Sequence, residues 1–302
     1  MEAKNEGIIS IFSFLPEGCI AAIIALTSPR DACRASMVSR VFKSASESDS
    51  VWERFLPSDY QEIISKSVVP LPNYATKKDL FFNLCHFPIL IDDGKLSFWI
   101  SKLSGKKCYM ICARELSIAW GDNPQYWGWT SMAESRFSEV AELEHVWWLE
   151  IKGKMQTQML SLKTTYAAYL IYRVTRHSFD LDVVPKASVR LSDAISSSAT
   201  VVSNAANGER TTQNLSEPED SSVYLVHNVP RRRPNSSRWE RQNYENRPGR
   251  VPQRRADGWM EILLGEFFND EGEGEIEMKL LEIEGVLKRG LIVEGIELRP
   301  KE

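Results

Sequence analysis

Apolar residues in the first part of the chain recur at the spacing of short helices. In the two best-defined helices they fall on single faces, at Ile20, Ile23 and Ile24 and at Trp52, Phe55 and Leu56. Ser28 directly before Pro29 is a typical helix start, because serine caps free backbone N–H groups and proline fits the first turn. The pattern predicts tightly packed short helices over residues 12–57 and two further helical stretches over 59–86.

From about residue 89 the pattern changes to short runs rich in aromatic and β-branched residues, separated by turn signals. These runs predict strands at Cys108–Ala113, Leu116–Trp120, Val146–Lys152, Ala167–Thr175, Tyr224–Val226, Gly258–Gly265, Ile276–Ile283 and Leu291–Leu298. Trp147 and Trp148 are expected to point to opposite faces of their strand, one into the core and the other toward the surface. Many strands with few helical stretches are typical of an antiparallel sandwich or jelly roll. The chain is therefore predicted to be α+β, with an all-α unit followed by an antiparallel β-sandwich.

Two polar segments interrupt the predicted sandwich. Residues 192–221 are rich in Ser, Asn, Thr and Glu with few large apolar side chains, which predicts a disordered insertion. Residues 230–256 form an arginine-rich loop with nine arginines and two glutamates, whereas 257–284 contain ten acidic residues against Lys279. Because opposite charges attract, we expect the two blocks to face each other, which would satisfy the arginines without a ligand.

Length, composition and charge narrow the class of protein. At 302 residues the chain is long enough for two domains, and 43 % apolar with 26 % charged residues is an ordinary globular composition. A formal charge of -4 favours neither nucleic acid nor membrane as a partner of the whole chain. The acidic first residues do not resemble a secretory or transit leader, and no apolar run approaches the ~20 residues that span a bilayer. We therefore expect a cytoplasmic or nuclear protein.

Five scattered cysteines are expected to be free thiols in a reducing compartment. Cys108 and Cys112 lie four residues apart in a predicted strand, where both are expected to act as small buried apolar side chains. A zinc site needs four ligands, and no other His or Cys pair has the spacing to supply the missing two. The sequence therefore predicts neither a metal site nor a cofactor.

A run of short motifs near the N-terminus has the pattern of a plant F-box. Its pieces are Leu15-Pro16-Glu17, Ser28-Pro29-Arg30-Asp31, Val38-Ser39-Arg40-Val41-Phe42 and Val51-Trp52-Glu53-Arg54-Phe55. The resemblance implies a compact helical unit that buries an apolar face against the Skp adaptor of a Skp–cullin–F-box ubiquitin ligase, and through it reaches a cullin.

The residues predicted to bind the adaptor are apolar side chains on these helices, because a few desolvated anchors carry most of the energy of an interface. They are Leu15, Pro16, Ile20, Ile23, Val38 and Trp52. The alternative is that such residues, and above all Phe42, Trp52 and Phe55, fill the core of the unit itself. A unit of about 45 residues cannot bury every apolar side chain internally, so some are left for a partner.

A second set of motifs extends over nearly all of the remaining chain. It includes Ser97-Phe98-Trp99, Leu116-Ser117-Ile118-Ala119-Trp120-Gly121, Trp148-Leu149-Glu150-Ile151, Asp257-Gly258-Trp259-Met260-Glu261-Ile262 and Gly290-Leu291-Ile292-Val293-Glu294-Gly295. These motifs resemble the phloem-protein-2-like, or tobacco-lectin-like, family, in which some plant proteins combine an F-box with such a domain. The resemblance implies an F-box at 10–58, a helical connector at 59–88 and a lectin-like domain at 89–302.

The segment between two tryptophans in this domain is suited to a sugar site. Trp120 and Trp127 are seven residues apart across a turn that contains proline, and indole faces stack on the C–H face of a pyranose while polar groups hold its hydroxyls. In the resembling lectins these two tryptophans are associated with glycans that contain N-acetylglucosamine. Glu261 and Glu266 lie where that family also has an acidic contact, so the predicted carbohydrate-binding residues are Trp120, Trp127, Glu261 and Glu266. The core of the sandwich is the alternative location for such aromatic residues.

The predicted role is the substrate receptor of a ubiquitin ligase that captures glycoproteins. Four rival roles are weighed against it, namely an enzyme, a nucleic-acid binder, a receptor that reads a protein surface and a free-standing lectin. No nucleophile, zinc or phosphate-loop motif is present, so the chain is predicted not to be an enzyme, and the other subunits would carry the ligase reaction. Nucleic acid is disfavoured because the acidic block nearly cancels the arginines. A receptor that reads a protein surface and a free-standing lectin with a degenerate F-box are the remaining alternatives.

Overall fold

The computed structural model describes residues 15–192, 220–226 and 249–301. The predicted insertion at 192–221 and most of the arginine-rich loop at 230–256 lie outside the described residues. The chain divides into two compact units, of which the first contains the chain up to Ile89 and Phe98–Lys107 and the second contains Leu90–Ser97 and Cys108–Lys301. Helices come first and antiparallel sheets follow, so the predicted α+β class is confirmed.

Six short helices form most of the first unit. They are α1 (Glu17–Ile24), α2 (Pro29–Ala35), α3 (Arg40–Glu47), α4 (Asp49–Phe55), α5 (Tyr60–Ser65) and α6 (Lys77–His86). Side-chain oxygens cap three of them as the sequence requires: Ser28 accepts a hydrogen bond from the backbone of Asp31, Ser39 from Phe42, and Thr76 from Asp79. The helical part of the prediction is therefore confirmed down to the individual cap at Ser28.

A single tryptophan holds the centre of this helical unit. Trp52 is fully buried, and its indole nitrogen donates a hydrogen bond of 2.7 Å to the carbonyl oxygen of Ser46. Its ring packs edge-on against Phe55 at 5.6 Å between centroids and against Phe81 and Phe82 at 5.2 Å each. A buried indole with its N–H satisfied and three aromatic neighbours is a core residue of the unit.

Two antiparallel sheets form the second part of the fold. The strands are β1 (Ile89–Ile91), β2 (Leu96–Ile100), β3 (Lys107–Cys112), β4 (Ser117–Ile118), β5 (Trp127–Thr130), β6 (Val140–Leu143), β7 (Leu149–Gln156), β8 (Thr164–Phe179), β9 (Lys186–Ser192), β10 (Ser221–Ser222), β11 (Gln253–Arg254), β12 (Met260–Asn269), β13 (Glu275–Glu282) and β14 (Arg289–Pro300). In the nine-stranded sheet β14 lies between β3 and β8, β12 follows β8, and β5 joins through β6. The five-stranded sheet has the order β10-β9-β13-β7-β4.

The two sheets pack face to face through residues that alternate along their strands. At Gly153 of β7 an added Cβ would lie 3.0 Å from Ile296 of β14, and at Gly265 of β12 it would lie 2.7 Å from Val189 of β9. These small residues let the sheets approach closely. The core between them contains Leu149, Ile151, Leu170, Ile262, Leu264, Ile276, Met278, Leu280, Ile296 and Leu298.

Most predicted strands are present with shifted ends, and two expectations were wrong. No strand covers Tyr224–Val226; instead Val223 forms an isolated bridge with Arg250. Trp147 and Trp148 do not alternate between core and surface, since β7 begins only at Leu149 and both indoles are exposed. The reason is that Val146 pairs with a residue far along the chain, which separates the tryptophans from the regular strand.

The described residues on either side of 227–248 are joined by hydrogen bonds. Tyr224 donates a backbone hydrogen bond of 2.9 Å to Arg250, and Arg250 donates one of 2.9 Å to Ser222. The guanidinium of Arg250 also donates to the carbonyl oxygens of Leu263 and Leu264, beside the bulge in β12. Arg250 therefore ties both ends of this segment to the sheet.

Candidate functional site

Trp120 stands at the surface in an unusual backbone conformation. It follows β4, its side chain is 47 % exposed, and its φ of 58° lies in the left-handed region. A bulky residue rarely occupies that region unless the surrounding structure enforces it. Asn123 donates a backbone hydrogen bond to the carbonyl of Trp120 at 2.9 Å, which closes a tight turn after the indole. The turn therefore presents Trp120 to solvent.

Two further tryptophans fix this turn by hydrogen bonds to its backbone. Trp127 is 1 % exposed, and its indole nitrogen donates to the carbonyl oxygen of Ala119 at 3.1 Å. The indole nitrogen of Trp129 donates to the carbonyl oxygen of Gly121 at 3.0 Å. The residues on either side of Trp120 are thus each fixed by an indole N–H. Of the two tryptophans predicted to bind sugar, Trp120 is therefore exposed and Trp127 is buried.

A chain of aromatic rings extends outward from Trp120, and we call it the aromatic patch. Trp120 contacts Trp148 edge-on at 6.1 Å between ring centroids and contacts Tyr126 at 5.7 Å. Tyr126 contacts His145 at 5.5 Å, and His145 contacts Trp147 at 6.0 Å. Trp147 is 52 % exposed and Trp148 is 45 % exposed. The sequence prediction missed these two residues as site candidates because it assigned them to a regular strand.

A buried lysine fixes the backbone of the aromatic patch. The Lys288 ammonium is fully buried and donates hydrogen bonds to the carbonyl oxygens of Trp147, Glu284 and Val286 at 2.9, 3.0 and 2.9 Å. It also forms an ion pair of 2.5 Å with buried Glu282, and its backbone pairs with Val146 in both directions. A buried charge with this many partners holds its surroundings in one arrangement. Here that arrangement includes the segment that carries Trp147 and Trp148.

The predicted acidic contacts lie elsewhere on the nine-stranded sheet. The strand of Trp127 and the strand of Glu261 are separated by four pairings, namely β5–β6, β6–β14, β14–β8 and β8–β12. At ~4.8 Å for each pairing the separation along the sheet is about 19 Å. Glu266 is five residues further along β12 and pairs with Lys301 at 2.7 Å. The structure brings together Trp120 and Trp127, but not these tryptophans and the two glutamates.

Glu261 belongs to an ion-pair cluster with Glu297, Arg255 and Arg299. Arg299 reaches Glu261 at 2.6 Å and Glu297 at 2.9 Å, and Arg255 reaches both carboxylates at 3.1 Å. Burial opposes the charge of Arg299, but its hydrogen bonds to Glu261 and its attraction to Glu297 outweigh burial and raise its pKa above the ordinary value. Arg255 and Glu261 belong to the arginine-rich and acidic blocks, so for this pair the predicted contact between the blocks is present.

The helical unit exposes several apolar side chains to solvent. Of the predicted adaptor-binding residues, Pro16, Ile23 and Val38 are exposed and Leu15 is half-buried, whereas Ile20 and Trp52 are buried in the core of the unit. Three further exposed apolar residues lie near them in the sequence: Leu26, Met37 and Val41.

Metal-ligating side chains are not clustered in the part of the chain that the structure describes. Its described histidine, cysteine, aspartate and glutamate side chains form no group of three that could hold a metal ion. Within the same residues, no helix has both the length and the apolar character needed to cross a membrane.

Comparison with known proteins identifies both parts of the chain. A model of the phloem protein 2 family matches residues 106–300, and a model of the F-box domain matches residues 12–54. F-box protein PP2-B10 of Arabidopsis thaliana is 41 % identical over 301 residues, which cover 98 % of this chain and 96 % of that protein. F-box protein VBF of the same plant is 43 % identical over 293 residues, covering 95 % and 99 %. The chain therefore belongs to the phloem protein 2 family, and within it to the members that carry an F-box.

Proposed function

We propose that this protein is the substrate-receptor subunit of a Skp–cullin–F-box ubiquitin ligase and that its sandwich captures glycoprotein targets. The pairing of an F-box with a phloem protein 2 domain supports the receptor role, because an F-box implies binding to a Skp-type adaptor. In this role the chain supplies proximity and orientation while other subunits carry out the transfer of ubiquitin. It would act in the cytoplasm or nucleus, where a reducing environment keeps cysteines as thiols.

The exposed apolar side chains of the helical unit support adaptor binding. Ile23, Met37, Val38 and Val41 present apolar surface to solvent within a unit whose own core is already filled around Trp52. Such surface on a small unit is typical of a protein interface. Ile20 and Trp52 contribute to this interface by supporting the helices that carry the exposed residues.

The exposed indole of Trp120 is the observation that carries the glycan part of the proposal. Its turn is fixed by the hydrogen bonds from Trp127 and Trp129, so the ring is held in place before a ligand arrives. A fixed and exposed aromatic face with polar neighbours such as Asp122 and Asn123 suits the C–H face and hydroxyls of a pyranose. Trp127 serves this site as a positioning residue. We leave Glu261 and Glu266 out of the proposed site, because about 19 Å of sheet separates their strand from the strand of Trp127.

Two measurements on the full chain test the two halves separately. Co-purification with a Skp-type adaptor tests the receptor role, and a Val38→Lys variant is expected to lose the adaptor, since it puts a charge into the apolar surface. Isothermal titration with N-acetylglucosamine oligomers tests the glycan role. Trp120→Asn is expected to reduce the affinity by about tenfold or more while preserving the fold, because asparagine tolerates the left-handed conformation.

Each outcome selects one of the alternatives. Phe268→Ala removes an exposed aromatic ring elsewhere on the sandwich and is the matched control, which should bind like the wild type. If the wild-type chain binds the adaptor but no glycan, the sandwich reads a protein surface. If it binds glycan but no adaptor, the chain acts as a free-standing lectin.

A further inference from the structure

A shallow groove lies on the outer face of the five-stranded sheet. It has a volume of about 350 Å³, is open to solvent and runs between β9 and β13. Buried residues alternate with half-exposed ones along β13, so the side chains that do not face the core line the groove. The polar side chains that line it are Lys186, Ser188, Arg190, Asp220, Glu277 and Lys279.

Among the described residues, two lysines of this groove have no carboxylate to themselves. Lys186 donates a hydrogen bond of 3.0 Å to the hydroxyl of Ser222, which is a neutral partner. Lys279 forms an ion pair of 3.0 Å with Glu150, but Lys152 contacts the same carboxylate at 2.8 Å. Three ammonium groups therefore share one carboxylate at this end of the face, which leaves two positive charges for an anion.

Ser188 lies between the two lysines of the groove. It is the register partner of Lys279 on β13, and it is two residues from Lys186 on the same face of β9. Side chains on paired strands are ~5 Å apart, and those two residues apart along one strand are ~7 Å apart. Two ammonium groups and a hydroxyl can therefore converge on one tetrahedral anion. A phosphate monoester has nearly two negative charges at neutral pH and three acceptor oxygens, which matches these donors.

The charge is reversed one step further along the sheet. Glu277 lies on the same face of β13, ~7 Å from the lysine end of the groove. Its register partners Lys154 and Arg190 are each ion-paired with another carboxylate, Glu275 at 2.6 Å and Asp220 at 3.4 Å. Glu277 is therefore available to a cationic group of the ligand. Because a shallow groove encloses little of a small molecule, the arrangement favours an extended chain that bears both groups.

We propose that this groove binds a phosphorylated segment of a target protein, in which a basic residue lies two positions from a phosphoserine or phosphothreonine. Lys186, Ser188 and Lys279 hold the phosphate, and Glu277 holds the basic side chain. In an extended segment, side chains two positions apart are ~7 Å apart on the same face, which is the spacing of the groove. The inference goes beyond sugar binding, since none of these residues belongs to the aromatic patch.

Fluorescence anisotropy with the full chain tests this inference. The probe is a labelled heptapeptide of alanine with phosphoserine at its centre and lysine two positions to either side. The wild type should bind it at least about tenfold more tightly than the unphosphorylated peptide. Lys186→Gln and Lys279→Gln should each reduce the affinity by about three- to tenfold, the effect of one charge-assisted contact near the surface. Glu150→Gln should instead increase the affinity, because it releases Lys279 from its carboxylate.

Two control variants separate this site from other effects. Lys163→Gln removes the same charge from an exposed position outside the five-stranded sheet and should bind like the wild type. Trp120→Asn should also leave peptide binding unchanged, so this inference and the glycan function fail independently. A peptide that binds equally well without its phosphate overturns the inference, as do Lys186→Gln and Lys279→Gln variants that behave like Lys163→Gln. Free phosphoserine that competes as tightly as the peptide would overturn recognition of a protein segment.

Discussion

The indole nitrogen of Trp127 donates its hydrogen to the carbonyl oxygen of Ala119, the residue immediately before Trp120. One tryptophan thus fixes the backbone that displays the other. In the proposed sugar site the exposed ring of Trp120 contacts the ligand, and the buried ring of Trp127 sets the position of Trp120. This division of roles has direct consequences for mutagenesis.

Trp127→Phe keeps an aromatic ring in the core but removes this hydrogen bond. We expect the free energy of unfolding to fall by about 1 kcal/mol for the lost bond, with a further cost for the smaller ring. We also expect the affinity for N-acetylglucosamine oligomers to fall although Trp120 is intact, because its turn is released. Calorimetric titration alongside chemical denaturation measures both. Unchanged sugar affinity in a destabilised Trp127→Phe would show that the turn does not depend on this bond.

Lys288→Met is expected to be strongly destabilising, by about 3–5 kcal/mol, because it leaves the buried carboxylate of Glu282 without its cation. Lys288→Met combined with Glu282→Gln should cost less than the sum of the two single changes, since the uncompensated charge is then gone. The exposed ion pair of Lys163 and Asp270 gives a matched control, and Lys163→Met should leave the stability close to that of the wild type, because solvent screens the pair. Urea denaturation of Lys288→Met, Glu282→Gln, the double variant and Lys163→Met measures the loss in the free energy of unfolding for each. Additive costs for Lys288 and Glu282 would contradict the proposed coupling.

Glu150 predicts a pH-dependent contribution to stability. Hydrogen bonds from Lys152 and Lys279 outweigh partial burial and lower the pKa of its carboxyl below the ordinary value of 4.5. A lowered folded-state pKa stabilises the fold above the unfolded value and loses that effect as the pH falls through the folded value. Glu150→Gln should therefore be about 0.5–1 kcal/mol less stable than wild type at pH 7. This difference should shrink as the pH falls below 4.5 and should be lost once the pH has passed the lowered folded-state pKa. A difference that stays constant over this range would exclude the ion pairs as its cause.

The five free cysteines should divide into two classes of reactivity. Cys19 and Cys33 are exposed, whereas burial raises the pKa of the Cys85 thiol to about 12 and also raises that of Cys112, and Cys108 is buried. Because the thiolate is the reactive form, a disulfide reagent at neutral pH should modify two thiols quickly in the folded chain and all five after denaturation. A Cys19→Ser/Cys33→Ser variant should lose the fast phase. Rapid modification that persists in this variant would contradict the burial of the other three.

Local patterns were sufficient where the structure is local. The cap at Ser28 depends only on residues of its own helical turn, and the sequence predicted it. Trp147 and Trp148 were misassigned because the segment before β7 pairs with Lys288, which is 141 residues beyond Trp147. The local pattern of apolar and polar residues around Trp147 carries no information about a partner so far along the chain.

The candidate site was predictable only in part for the same reason. Trp120 and Trp127 are both followed by glycine, but Trp127 begins β5 with a buried ring, whereas Trp120 has a left-handed backbone in a turn and an exposed ring. Glu261 has the composition of a sugar contact, but its carboxylate is occupied by Arg299, 38 residues away. Spacing along the chain identifies candidates, whereas long-range pairing decides which of them face solvent.

The anchoring of Arg250 to Ser222 and Tyr224 has a consequence for how this fold can diversify. Both ends of residues 227–248 are fastened at one point, so the sandwich is insensitive to the length of chain between them. Doubling the length of a flexible segment between two fixed ends costs only about 0.6 kcal/mol in closure entropy. A reporter domain or affinity tag inserted between these anchors is therefore expected to leave the aromatic patch in register.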